Sequence, residues 1–282
     1  MTFSGLFIPL ITPFTPDGDV ALPALENLAH ELLDAGATGL VALGTTGEPS
    51  ALTPAERAAV LSVVERVSRT RRTPWIAGVH DGAVPASADA AMHAVPAFVR
   101  PGEEGVIAHF TALAAASPIP VVVYHVPYRT AQPLPAGALF RLVSLPNVTA
   151  MKYAPGALDA TAITFLAAAA RLTGFSVLAG DDVLAGPLLA LGAPGAIMAA
   201  AHTATADYAA LIAAWQSGDL PAARGLSHRL APQSAALFAA PNPTLIKAVL
   251  HAEGRIPSAA VRLPLTPAAP ELVAQARAAL TV

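Results

Sequence analysis

The chain has 282 residues, of which 54% are hydrophobic and 12% charged, with a net charge of -3 and no cysteine. The length fits one large α/β barrel as readily as two smaller domains, and the charge gives no basic footprint for nucleic acid. Without cysteine there is no disulfide, thiolate metal site or cysteine nucleophile, and no run approaches the roughly 18 uninterrupted apolar residues of a membrane span.

Residues 6–11 read as a first strand, ended by Thr12-Pro13, and Pro16-Asp17-Gly18 as a turn. Leu22, Leu25, Leu28, Leu32 and Leu33 follow a helical period, and Gly36 fits a C-terminal stop. A second strand over 38–43 leads into Gly44-Thr45-Thr46-Gly47-Glu48. Thr53-Pro54-Ala55-Glu56 is a capping box that opens a helix to about residue 69. The third strand is 75–79. The fourth, near 89–95, starts after only residues 81–88, too few for a crossover helix, so the helix between strands three and four is expected to be truncated. Alternation then resumes with helix 103–116, strand 120–124, helix 135–143, strand 148–152, helix 158–171, strand 175–179, helix 183–191, strand 195–199 and helix 204–216. Eight strands alternating with helices predict a closed (β/α)8 TIM barrel over 1–217. Residues 218–282 follow as a C-terminal helical extension with helices near 220–238, 243–251 and 267–280.

Active sites of such barrels lie at the C-terminal strand ends. Lys152, one of only two lysines, closes the sixth strand, where burial lowers an amine's pKa and leaves it able to attack a carbonyl. Tyr124 closes the neighbouring fifth strand. Gly44-Thr45-Thr46-Gly47 offers backbone N–H groups and two hydroxyls as a carboxylate cradle, Gly180-Asp181-Asp182 closes strand seven, and Arg129 follows Tyr124 on a loop. Each alone has a plainer reading: a snorkelling lysine, a core tyrosine with a wet tip, a turn, a helix cap, a surface arginine. Together they describe imine formation with a 2-oxo acid. His80, His93, His125 and His202 fall on or near strands but lack the spacing and carboxylate company of metal ligands, so no metal and no cofactor are expected.

In order and spacing the chain resembles the dihydrodipicolinate synthase / N-acetylneuraminate lyase family of class I aldolases. The resemblance runs from Ile8-Pro9-Leu10-Ile11-Thr12-Pro13-Phe14 through Gly44-Thr45-Thr46-Gly47-Glu48, Tyr124-His125-Val126-Pro127-Tyr128-Arg129-Thr130, Met151-Lys152, Ala179-Gly180-Asp181-Asp182 and Pro241-Asn242-Pro243 to Arg262-Leu263-Pro264-Leu265-Thr266-Pro267. It implies a Schiff-base lyase or synthase with Lys152 as the imine lysine, Tyr124 as the proton-transfer tyrosine and Thr45 as its relay partner. It further implies Thr46 with nearby backbone, Gly47 included, at the pyruvate carboxylate, Gly180 in the pocket, Ile197 as a backbone contact lining it, and Arg129 on the carboxylate of an aldehyde substrate. The expected partners are small 2-oxo acids and aldehydes, in a homodimer or homotetramer. Met1-Thr2-Phe3-Ser4-Gly5 has no signal-peptide pattern, so a cytoplasmic location is expected.

Two departures stand out. Ala97-Phe98-Val99-Arg100-Pro101 occupies the place where the family's synthases carry a tyrosine pair before Arg-Pro, so the tyrosine that a neighbouring subunit donates to the proton relay is matched by Phe98. The shortened third unit is the other. Within the implied class, Arg129 favours 4-hydroxy-tetrahydrodipicolinate synthase chemistry on pyruvate and aspartate semialdehyde, and Phe98 favours a 2-keto-3-deoxy sugar acid aldolase or dehydratase. A catalytically weak 2-oxo acid binding paralogue and a metal-dependent hydrolase are the readings from other classes.

Overall fold

A computed structural model describes residues 2–80 and 84–281. Its strands are β1 (Gly5–Pro9), β2 (Gly39–Ala42), β3 (Trp75–Gly78), β4 (Ala90–Ala94), β5 (Val121–His125), β6 (Val148–Tyr153), β7 (Ser176–Ala179) and β8 (Gly195–Ile197). All pair in parallel in chain order, and β8 returns to β1 to close the barrel. Alternation along the strands divides the apolar residues in two. Phe7, Val41, Ile76, Met92, Val122, Ala150, Leu178 and Ile197 fill the barrel, while Leu6, Ile8, Leu40, Val121, Val123 and Met151 join the larger cluster beneath the helices.

The helices outside are α1 (Leu22–Asp34), α2 (Pro54–Arg71), α3 (Gly102–Ala116), α4 (Pro127–Thr130), α5 (Ala136–Val143), α6 (Ala160–Ala169), α7 (Ala185–Ala190) and α8 (Thr205–Ser217). They are followed by α9 (Leu220–Leu237), α10 (Thr244–Ala252) and α11 (Pro270–Leu280). The Thr53–Glu56 capping box forms at α2 with both reciprocal bonds. Arg129 sits on α4 rather than on an open loop: Pro127 at the first helical position starts a single turn that Ala131, in the left-handed region, stops. Between β3 and β4, Asp81, Gly82 and Ala83 lie outside the described residues, and the described ones form no helix. The short return is pinned to the start of β3. Asp89 accepts from Trp75 N at 2.9 Å, its own N donates to the Trp75 carbonyl at 3.0 Å, and the Trp75 indole donates to the Ser87 carbonyl at 3.1 Å.

One irregularity sets up everything at the barrel mouth. Val121 pairs with Val148 but Val122 with Ala150, so Thr149 is an extra residue in β6. A bulge of this kind shifts every later pairing by one place. Without it Tyr124 would face Met151; with it Tyr124 pairs with Lys152. β5 and β6 each run one residue past their expected ends, because His125 and Tyr153 still pair with each other.

The C-terminal helices reach back to the β2 turn. Lys247, fully buried on α10, donates to Glu48 at 2.8 Å with its ammonium 3.9 Å from the centre of the Phe14 ring. Arg262 N donates to the other Glu48 oxygen at 2.9 Å, and its guanidinium pairs with Glu56. Removing one partner of such a buried pair strands the other charge. No helix among the described residues is long and apolar enough to cross a membrane.

His202 gives the fold an acid limit. Its Nε2 accepts from Ile11 N at 3.3 Å while Nδ1 faces the Ala199 carbonyl at 2.8 Å, an arrangement that fits the neutral ring, and burial pushes its pKa from 6.5 down to about 4. The unfolded chain binds that proton below pH 6.5 and the folded chain does not until about pH 4, so the stabilisation present above 6.5 is lost as pH falls through this window. Going from pH 7 to pH 5 is expected to remove about 2 kcal/mol through this residue. Urea unfolding of the wild type and of His202→Gln at both pH values checks it, the variant showing the shallower decline.

Candidate active site

The C-terminal strand ends surround a cavity of about 300 Å3. Lys152 and Tyr124 form its floor, 7% and 8% exposed, with the lysine Nζ 4.4 Å from the centre of the tyrosine ring. Gly180 stands against the lysine stem. A Cβ there would lie 2.7 Å from Lys152 Cγ, so the close approach needs glycine. Thr45 and Thr46 form the β2 side of the wall, Tyr128 and Arg129 the α4 side, and Asn242 enters from the C-terminal segment. Asn242 Nδ2 donates to Thr46 Oγ1 at 2.9 Å, which leaves the threonine hydroxyl proton free to donate to a ligand oxygen.

The electrostatics follow from burial. It holds the Lys152 amine below the ordinary lysine range, Asp182 opposes this, and Arg129 adds to it. Burial drives Asp182 the other way, above the usual carboxylate range, although its Oδ1 accepts from Ala200 N at 2.7 Å. Both ionisations are thus drawn toward neutral pH, as suits groups that exchange protons during turnover. Tyr124 is pushed up to about 12, mainly by burial, so its phenol keeps its proton at neutral pH. A neutral amine, a protonated phenol and convergent carboxylate donors are what imine chemistry on a 2-oxo acid requires.

A model of the Dihydrodipicolinate synthetase family matches residues 2–282. The chain belongs to that family. It is 37% identical to 4-hydroxy-tetrahydrodipicolinate synthase of Moorella thermoacetica, over 99% of this chain and 98% of that protein. It is 38% identical to the enzyme of that name from Sorangium cellulosum, over 95% and 92%. Dihydrodipicolinate synthase from Bacillus anthracis superposes with a TM-score of 0.90 at 32% identity, covering 100% of this chain and 99% of that one. The Acinetobacter baumannii dihydrodipicolinate synthase, solved in complex with pyruvate, also superposes at 0.90, with 33% identity over 99% and 98%.

Of the residues singled out in the sequence, Lys152, Tyr124, Thr45, Thr46, Arg129 and Gly180 line this one cavity of the family fold. Gly47 and Ile197 are not among its lining residues. The Gly47 N–H is spent on the Gly44 carbonyl at 2.8 Å inside a 3-10 turn, and the Ile197 side chain packs within the barrel. The turn after β2 therefore keeps its two hydroxyls for a ligand but not the Gly47 N–H. Asp182, read from the sequence as a helix cap, and Tyr128, passed over, are the additions. Asp182 carried a signal in lying three residues past the end of β7; Tyr128 carried one in lying beside Arg129. His125 is turned away from Tyr124's side, its ring stacked on Tyr153 with centroids 5.7 Å apart. Among the described residues no group of three or more histidine, aspartate or glutamate side chains is placed to hold a metal.

Proposed function

We propose that the protein is a 4-hydroxy-tetrahydrodipicolinate synthase, condensing pyruvate with aspartate semialdehyde through an imine on Lys152. The observation that carries this reading is the buried Lys152 amine held below its ordinary pKa beside the buried Tyr124 phenol. The neutral amine adds to C2 of pyruvate, Tyr124 moves the protons, and loss of water leaves the imine. Loss of a C3 proton then gives the enamine whose C3 attacks the aldehyde carbon. Thr46, steadied by Asn242, holds the pyruvate carboxylate, Thr45 serves Tyr124 as relay partner, and Arg129 takes the carboxylate of the aldehyde substrate in paired bonds. A homodimer or homotetramer belongs to the same reading, supported by the fully exposed apolar side chain of Phe98 with Val99 beside it. So does a cytoplasmic location, with which a cysteine-free chain is compatible.

Purified protein supplied with pyruvate and aspartate semialdehyde should consume both and release the cyclic product. Pyruvate release from 2-keto-3-deoxy sugar acids, with no condensation, would replace this reading by the aldolase one, which the absence of a hydroxyl on Phe98 favours. Pyruvate binding without turnover on either substrate set would leave a binding paralogue.

Asp182 enters the same chemistry as a counter-charge. Asp182→Asn keeps an acceptor for Ala200 N and removes only the charge. Lys152 then loses its main opposition to burial, so its pKa falls further and the neutral amine persists to lower pH. The rising limb of the pH profile for borohydride-trapped pyruvate adduct is expected to move about one unit toward acid, equivalent to about 1.4 kcal/mol. Unchanged profiles would remove Asp182 from the mechanism.

A further inference from the structure

Tyr124 is buried, so a proton that it takes up or gives away needs another group to reach water. Of the chain's four tyrosines, Tyr153 and Tyr208 are buried and absent from the cavity wall, whereas Tyr128 lines the wall and is 69% exposed. The single turn of α4 makes Tyr128 and Arg129 neighbours at the mouth, with the guanidinium 4.9 Å from the centre of the Tyr128 ring. Both phenols line the same cavity, where burial raises the pKa of Tyr124 and Arg129 beside Tyr128 lowers it.

Both aspartates of the wall and Thr46 are already engaged. Asp182 accepts from Ala200 N, Asp181 Oδ2 accepts from Gly156 N at 3.2 Å, and Thr46 accepts from Asn242. Thr45, half-buried on the opposite side of the mouth, is the one competing hydroxyl. Phe98 brings no hydroxyl.

We propose that Tyr128 is the outward relay residue of the proton path, passing protons between Tyr124 and water within a single chain and supplying the hydroxyl that Phe98 lacks. The inference rests on the imine reading of Lys152. When the amine adds to C2, the nitrogen gives up a proton and the carbonyl oxygen gains one. A second proton on that oxygen lets it leave as water with its bonding pair, while the nitrogen lone pair closes the C=N bond. When C3 loses a proton, the C–H pair becomes the enamine double bond and the C=N pair returns to nitrogen. Tyr124, with Thr45 as its inner partner, hands these protons on to Tyr128, and Tyr128 exchanges them with solvent.

Deuterium incorporation into the pyruvate methyl group in D2O, followed by proton NMR, reads this traffic without any second substrate. Tyr128→Phe is expected to slow incorporation roughly 10- to 100-fold, short of the loss of a fully positioned acid–base group. The equilibrium level of borohydride-trapped adduct on Lys152 should stay at the wild-type value. Tyr128→His should recover part of the rate and give it a pH dependence near the imidazole pKa, which a purely structural tyrosine would not do. Incorporation in Tyr128→Phe equal to wild type overturns the inference, as does a loss seen only in Thr45→Val. If the wild type traps no pyruvate at all, the imine reading falls, and this inference falls with it.

Discussion

Incubated with pyruvate and borohydride, the wild-type chain is expected to gain one reduced pyruvate adduct on the peptide carrying Lys152, and Lys152→Arg none. The contrast is sharp because the chain holds only two lysines. The second, Lys247, is fully buried and bonded to Glu48, so its amine is neither accessible nor free to react. Arginine preserves the positive charge facing Asp182 but stays protonated and offers no nucleophilic nitrogen. Condensation should fall below detection, since every later step passes through the imine. A larger side chain against Gly180 risks strain, because the lysine stem packs so close to the glycine that a Cβ there would lie only 2.7 Å from it. Lys152→Met, of similar length and uncharged, separates lost chemistry from lost folding: both variants should melt cooperatively and neither should be trapped. An adduct that persists in either variant, or none in the wild type, removes Lys152 from its role.

Much of this site was legible because the chain marks its strands with apolar runs bounded by proline and glycine. Lys152 and Tyr124 could be placed at neighbouring strand ends by counting. What counting could not provide is the register. Val148-Thr149-Ala150-Met151 reads as an unbroken strand, and only pairing with β5 shows that Thr149 is skipped and Lys152 brought opposite Tyr124. Local patterns also misassigned groups whose partners are distant in sequence. Asp182 resembles a cap for the following helix, yet its carboxylate is fixed by Ala200, which follows the neighbouring strand β8. The N–H expected of Gly47 is lost to the cradle for the opposite reason, since a nearer acceptor, the Gly44 carbonyl, takes it. The C-terminal helices announced themselves by their period, but nothing local says that Asn242 and Lys247 reach back to Thr46 and Glu48.

Tyr124→Phe separates proton transfer from imine stability in a way that replacing the lysine cannot. The substitution keeps the ring beneath the Lys152 ammonium, 4.4 Å away, and deletes only the hydroxyl. The burial that lowers the amine's pKa is thereby retained, and with it the attraction of ring for cation. Trapped adduct at equilibrium should therefore approach the wild-type level, reached more slowly. Condensation, which needs protons moved in several successive steps, should fall about 10²- to 10⁴-fold. The loss should appear in kcat, with KM for pyruvate little changed, because the carboxylate contact proposed for Thr46 is made from the β2 side of the cavity, where Asn242 holds the Thr46 hydroxyl. A drop of less than tenfold in kcat, or a loss confined to KM, would mean that Tyr124 only packs against the lysine. The protons would then have to travel by the Thr45 side of the mouth.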